Sequence, residues 1–333
     1  FSFLSYLNPL TPLQARAYMR VCRSWLWHGN RLQHLLQARW SLHLFRAALG
    51  IVMLSAFIYA LKTLSLADAY ARPRPFQQRI TLMTDFTYAV DADGVATITW
   101  DVVAKSMNVM SLAGFAELSA HIDTALADPA VKGVILTSGK KDFAGGMDLN
   151  VIAAMRAGGA QAIFDGVMGM HHVLRKIELA GMDPKTKKGG KPIVAALPGT
   201  ALGIGLELPL ACHRIIAADN PKAKIGLPEI MVGIFPGAGG TTRLVRKLGA
   251  MMAAPFLLEG KLSDPKAAKA AGIIDEVVAP DDLLSRAKDW VLAAKEADLV
   301  KPWDAKGYKM PGGSPYQPAG FMTFVGASAM VHG

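Results

Sequence analysis

The stretch Pro192 to Leu244 constrains this chain more than any other: PIVAALPGTALGIGLELPLACHRIIAADNPKAKIGLPEIMVGIFPGAGGTTRL. It begins with a short apolar run, Ile193–Leu197, of a length that suits a buried strand. A glycine-rich turn, Gly203-Ile204-Gly205, leads from there into an apolar helix with Glu207 in its first turn. Glu229 follows 22 residues later, after Pro228, in an expected loop before the apolar run Ile230–Val232. A second glycine turn, Gly237-Ala238-Gly239-Gly240, closes the stretch. Strand, glycine turn and helix in that order are the grammar of an α/β protein.

The flanking sequence continues that grammar. Phe86–Val90 and Val95–Asp101 alternate around Asp91-Ala92-Asp93-Gly94, which predicts a hairpin. Helical spacing is expected over Leu112–Leu126, Asn150–Arg156 and Ala160–Glu178, with a strand at Gly133–Thr137. Met182–Lys191 is a basic polar loop, read as solvated surface, with contact to a phosphate-bearing ligand as the alternative. Downstream, helices are expected at Thr241–Leu248 and Met251–Leu258. A short one is expected at Asp264–Ala271, with Asp as N-cap and Pro in its first turn. A strand at Ile273–Val278 and a long helix at Asp281–Ala297 complete the pattern.

Composition separates the chain into unlike parts. With 333 residues, 52% hydrophobic and 19% charged, it is long enough for a sizeable core and is not a disordered chain. Its net charge of +10 is uneven: residues 1–82 hold ten basic groups and one acid, Asp68, whereas residues 83–333 hold 26 basic and 25 acidic groups. A body so near neutrality argues against a large nucleic-acid footprint. Cys22 and Cys212 are too far apart for a short metal motif and suggest no disulfide framework, which fits a reducing compartment. Within residues 1–82, Ala47–Leu61 is uncharged for 15 residues, short for a spanning helix. Three readings compete for this extension: non-native or upstream-translated sequence, a membrane-associated anchor, and an export signal ending at Ala67-Asp68-Ala69. Met83-Thr84-Asp85-Phe86 resembles a natural protein start, and the apolar end FMTFVGASAMVHG reads as a truncated helix.

Familiar nucleotide and metal motifs fail. Gly203-Ile204-Gly205-Leu206-Glu207-Leu208 has Leu where a dinucleotide fingerprint needs its third glycine, and Glu207 would repel a pyrophosphate. Ser138-Gly139-Lys140 lacks the P-loop spacing, and no His, Cys or carboxylate cluster has metal-ligand spacing. His171, His172 and His213 read as ordinary helix and strand-end residues. What remains is two glycine turns, Gly145-Gly146-Met147 and Gly203-Ile204-Gly205, and two glutamates, Glu207 and Glu229. Backbone N–H groups converging from such turns make an oxyanion hole, worth about 3 kcal/mol per donor. Glu207 in an apolar helix should have a raised pKa, and two neighbouring acids can divide acid and base work. The competing reading makes Glu207 a helix-dipole partner and Glu229 a solvated loop acid.

Four segments carry a resemblance to a known family: Phe143-Ala144-Gly145-Gly146-Met147-Asp148-Leu149, Ala201 to Glu207, Gly226-Leu227-Pro228-Glu229 and Pro236 to Thr241. In this order and spacing they resemble the crotonase (enoyl-CoA hydratase/isomerase) family over Phe86–Val278. The tail Pro302–Gly333 is similar to the hydratase half of bifunctional fatty-acid oxidation enzymes. The resemblance implies an α/β fold, a crotonase-like ββα spiral followed by C-terminal helices. Three parts are then expected: the extension 1–82, a hydratase domain 83–280, and a helical linker 281–333 cut before a dehydrogenase domain. It implies that Glu207 and Glu229 are catalytic and that the N–H groups of Met147 and Ile204 hold a thioester oxygen. Ala144, Gly145, Gly146, Asp148, Leu149, Gly203, Pro228 and Gly237 would line the substrate.

The implied substrate is a trans-2-enoyl-CoA thioester, with no cofactor or metal in this chain; NAD enters only if a dehydrogenase domain follows. A homo-oligomer or a complex with a thiolase is implied as partner, no nucleic acid, and a cytoplasmic setting, with membrane contact only through 1–82. Ile204 departs from the family's usual Gly; the expectation is that it resists positive φ and narrows the pocket. Isomerisation of the double bond, or a binding role on the same fold, are the alternatives.

Overall fold

The computed structural model describes residues 84–314 with 318, 320–323, 325 and 326. The apolar run 47–61, the cleavage-like pattern 67–69 and residues 327–333 lie outside the described residues. The chain opens with the expected hairpin, β1 (Phe86–Val90) against β2 (Val95–Trp100), antiparallel and in register from Phe86–Trp100 to Val90–Ala96. Helix α1 (Leu112–Ala127), capped by the Ser111 hydroxyl, carries the chain to β3 (Gly133–Ser138), which is parallel to β2. Helices α2 (Leu149–Ala157) and α3 (Gly159–Leu179) lead back to β4 (Ile193–Leu197). The two-residue strand β5 (Ala201–Leu202) and helix α4 (Ile204–Ala211) precede β6 (Arg214–Ala218). Then come β7 (Ile225–Gly226), α5 (Gly240–Leu248), α6 (Ala250–Leu258), β8 (Leu262–Ser263) and α7 (Pro265–Ala270), the last capped by Asp264. Strand β9 (Glu276–Val278) and helix α8 (Leu283–Ala293) follow.

The strands form a six-stranded sheet in the order β1-β2-β3-β4-β6-β9 and a small sheet in the order β5-β7-β8. From β2 onward every pairing in the large sheet is parallel, so each crossover stacks one more turn of a spiral. Side chains alternate between two cores. Ile193, Ala195 and Leu197 face the main core with Phe115, Leu118 and Leu174; Val194 and Ala196 face Leu283, Ala287 and Val291 of α8. A sheet covered on both faces needs unbroken apolar strands, which is why GVILT and IVAAL read as buried.

Two element boundaries differ from expectation. The strand expected over Ile273–Val278 begins only at Glu276, because Ile273 and Ile274 enter the main core from a turn rather than from a strand. The helix expected over Asp281–Ala297 shortens to α8, with single 3₁₀ turns at Pro280–Asp282 and Glu296–Leu299 on either side. Apolar contact with the sheet stops at Val291, and the remaining charged residues have no face to bury.

One buried polar residue fastens the strand ends to the first glycine turn. The Asn108 amide nitrogen lies 2.9 Å from Trp100 O, 2.9 Å from Ser138 Oγ and 3.0 Å from Phe143 O. Its Oδ1 accepts from Val102 N at 2.9 Å, and its carbonyl accepts from Gly145 N at 2.8 Å. Asn108→Ala removes the partner shown for Val102 N and for Phe143 O, so it is expected to cost about 2 kcal/mol or more in a denaturant titration. A cost under about 0.5 kcal/mol would contradict this role.

Candidate active site

The two glycine turns come from separate strands and meet through backbone pairing. Phe143 N and Ala144 N both donate to Thr200 O, and Leu202 N donates to Ala144 O at 3.0 Å. On the other side Met110 N donates to Gly146 O, and Asp148 N to Met110 O, each at 2.9 Å. Gly146 at φ 123° and Gly203 at φ 56° supply the reversals, in a region that side-chain-bearing residues avoid. A Cβ placed on Gly203 would lie 3.7 Å from the Gly146 Cα and 3.2 Å from the Glu229 Oε1. Both turns and Glu229 therefore converge on one spot.

Met147 and Ile204 stand next to those glycines, and among the described residues neither backbone N–H donates a hydrogen bond. The expectation that Ile204 is strained is corrected. The positive φ belongs to Gly203, whereas Ile204 opens α4 and its side chain is buried in the main core. Its N–H keeps the outward direction of a helix N-terminus.

Glu207 sits in the first turn of α4, a helix buried at every position. Its Oε1 accepts from Gly240 N at 2.7 Å. Burial pushes the Glu207 carboxyl up to about 8, and the negative charge of Glu229 adds to the rise. Glu229 lies in a 3₁₀ helix, Pro228–Val232, rather than in the expected loop: Pro228 starts the turn and Gly233, left-handed, ends it. It is half-buried, its Oε2 is buried with no hydrogen-bond partner among the described residues, and burial raises it to about 6.

The remaining expected lining residues divide. Ala144, Gly145, Gly146, Gly203 and Pro228 lie within or beside the two turns and the Glu229 helix. Gly237 belongs to the loop that reaches Glu207, and its carbonyl meets His171 Nε2 at 2.6 Å. Asp148 spends its side chain elsewhere, capping α2 through Asn150 N and pairing with Lys105 at 2.6 Å. Leu149 is 76% exposed at the start of α2. Among the described residues no group of three or more His, Cys, Asp or Glu could hold a metal ion. No described helix is long and apolar enough to cross a membrane.

Residues 91–300 match the enoyl-CoA hydratase/isomerase family. The chain belongs to that family. Its fold is the crotonase fold. It superposes on an enoyl-CoA hydratase from Geobacillus kaustophilus with a TM-score of 0.57 and 26% identity, covering 74% of this chain and 88% of the other. An enoyl-CoA hydratase from Bacillus anthracis gives a TM-score of 0.57 and 25% identity over 74% and 91% of the two chains. In sequence, the fatty acid oxidation complex subunit alpha of Shewanella amazonensis is 36% identical over 205 residues, 61% of this chain. The same-named subunit of Shewanella putrefaciens is 38% identical over 207 residues. The chain spans about 28% of the length of these relatives.

Sequence reasoning passed over the groups that hold this family site in place. Buried Glu178 accepts from Arg175 Nη1 and from Arg243 Nε, each at 2.9 Å, and Arg243 Nη1 donates to Ala238 O at 2.9 Å. Asp142 Oδ1 accepts from Thr200 N at 2.7 Å and steadies the turn before β5. A glutamate at the end of an amphipathic helix gave no sign of burial; only its spacing from His171 and Arg175 on one helix face hinted at a shared role.

The raised carboxyl has a consequence for stability. Glu207 rises from its ordinary 4.5 to about 8, so between those values the folded state binds more protons than the unfolded chain. Stability from this group is full below 4.5 and is lost as pH climbs toward 8. Glu207→Gln, which cannot ionise, is expected to melt several degrees above the parent chain at pH 8 and to lose that advantage at pH 4.5. Equal differences in Tm at the two pH values would contradict a raised carboxyl.

Proposed function

We propose that this chain hydrates trans-2-enoyl-CoA to 3-hydroxyacyl-CoA, as the hydratase part of a fatty-acid β-oxidation enzyme. The observation that carries the reading is the convergence of Gly146, Gly203 and Glu229 on one spot, with buried Glu207 entering from α4. In this reading the N–H groups of Met147 and Ile204 hold the thioester oxygen, on which negative charge gathers as water adds. At neutral pH the raised values leave the pair with about one proton, chiefly on Glu207, while Glu229 is largely ionised. One carboxylate takes a proton from the water as its oxygen bonds to C3. The other carboxyl gives a proton to C2, and the C2=C3 double bond becomes single. The two acids titrate as a coupled unit, so the pair rather than either residue owns the two proton transfers. Ala144, Gly145, Gly146, Asp148, Leu149, Gly203, Pro228 and Gly237 line the acyl-CoA through their backbone or side chains in this reading.

The domain division follows the same reading: hydratase over 83–280 and linker over 281–333. The relatives' name makes each of them a subunit of a complex. For this chain a thiolase or a second copy of itself is the corresponding partner, and NAD belongs to a dehydrogenase domain if one follows. The setting is cytoplasmic, for which the free buried thiol of Cys212 is in keeping with a reducing compartment.

The test follows the enoyl-thioester absorbance on adding a 2-enoyl-CoA to the 333-residue chain. Glu207→Gln and Glu229→Gln are each expected to lower kcat by about 100-fold or more with a small change in KM. Unchanged rates in both would remove the mechanism. A chain that shifts the double bond of a 3-enoyl-CoA but adds no water would make it an isomerase, with Glu229 as the proton carrier.

A further inference from the structure

A short segment just beyond the family match, Lys301 to Asp304, is tied to both sides of the Glu207 site. The buried ammonium of Lys301 donates to Leu210 O at 3.0 Å and to Cys212 O, carbonyls at the C-terminal end of α4. A cation there suits the negative end of the helix whose first turn carries Glu207. Three residues on, Asp304 accepts a two-pronged bond from Arg175, Nη1 at 2.7 Å and Nη2 at 2.9 Å.

From Asp304 an unbroken line of contacts runs to the site. Arg175 Nη1 also donates to Glu178 Oε2 at 2.9 Å; Glu178 Oε1 accepts from Arg243 Nε at 2.9 Å. Arg243 Nη1 donates to Ala238 O at 2.9 Å, and two residues later Gly240 N donates to Glu207 Oε1 at 2.7 Å. Glu178 and Arg243 are both buried, so their mutual orientation is not diluted by water. Two guanidiniums share the single carboxylate of Glu178. Asp304 gives Arg175 a carboxylate of its own and so keeps it from drawing Glu178 away from Arg243.

We propose that Asp304 is a positioning residue: through Arg175, Glu178 and Arg243 it holds the Ala238–Gly240 turn against the carboxyl of Glu207, while Lys301 fixes the far end of the same helix. The segment after the hydratase fold thereby becomes part of what sets its chemistry. This rests on the hydratase reading above. The groups facing Glu207 are Gly240 N–H, Ala238 N–H and Arg243 from the α5 side, all favouring the ionised form, and Glu229 opposing it.

The test compares Asp304→Asn with the parent 333-residue chain in kcat, KM, Tm and the pH profile of kcat. Asp304→Asn is expected to lower kcat by about 10-fold with KM changed less than about twofold. It should also move the Glu207 limb to higher pH by about half a unit, as the groups favouring the ionised form loosen. Asp304→Glu should restore both. Lys288→Gln, which breaks a surface pair with Asp91 and Asp93, should change neither. If the Asn variant melts below assay temperature, Arg175→Lys keeps the charge without the fork and should give the same two changes. A lower Tm with kcat and pH profile intact would make Asp304 merely structural and overturn the proposal. A parent chain with no hydratase activity overturns the hydratase reading itself; ¹³C titration of the Glu207 carboxyl in Asp304→Asn then decides the positioning claim, an unmoved pKa defeating it.

Discussion

Burying the carboxyl of Glu207 costs free energy that the surrounding fold must offset. The group lies in a helix whose every residue is buried, with a second acid close enough to raise it further. Gly240 N donates to its Oε1 and Ala238 N–H also faces it, and the turn carrying these N–H groups is held by Arg243. Arg243 is itself buried and depends on Glu178 for its counter-charge. A carboxyl stored at high free energy is thus bought with an ion pair one layer further out. Sites of this kind trade stability for a proton held ready near neutral pH.

The two glycine turns depend on a different constraint, the meeting of two chain reversals. Neither Gly146 nor Gly203 could take a side chain at its φ without strain, and a Cβ on Gly203 would also crowd Glu229. Their positions are set from behind. Asn108 binds the residues before Gly146, and the pairing of Thr200 with Phe143 and Ala144 locks one turn to the other. The N–H groups of Met147 and Ile204 are therefore presented by rigid backbone rather than by flexible side chains, which suits the role proposed for them in stabilising a developing charge.

Much of this was legible along the chain because it is local. Apolar runs such as IVAAL mark strands covered on both faces, and glycines just after them mark the turns. Glu207 stood out because a charge in an apolar helix needs a reason. What stayed hidden depends on contacts between distant residues. Nothing near Asp304 in sequence points to Arg175, 129 positions away, and nothing near Glu178 points to Arg243, 65 positions away. The 3₁₀ helix around Glu229 was missed because one Pro and one Gly delimit too few residues to show a period. The strain expected at Ile204 dissolved for a simple reason: the glycine before it takes the unusual φ and leaves Ile204 free to begin a helix.

Two carboxyls share one partly dry site and are both displaced upward, Glu207 further than Glu229. Titrating the side-chain carboxyl carbons of the two residues by ¹³C NMR tests this most directly. Glu229 is expected to titrate near 6 and Glu207 last, near 8, with the second ionisation felt at both carbons. Two independent titrations near the ordinary value of 4.5 would contradict it.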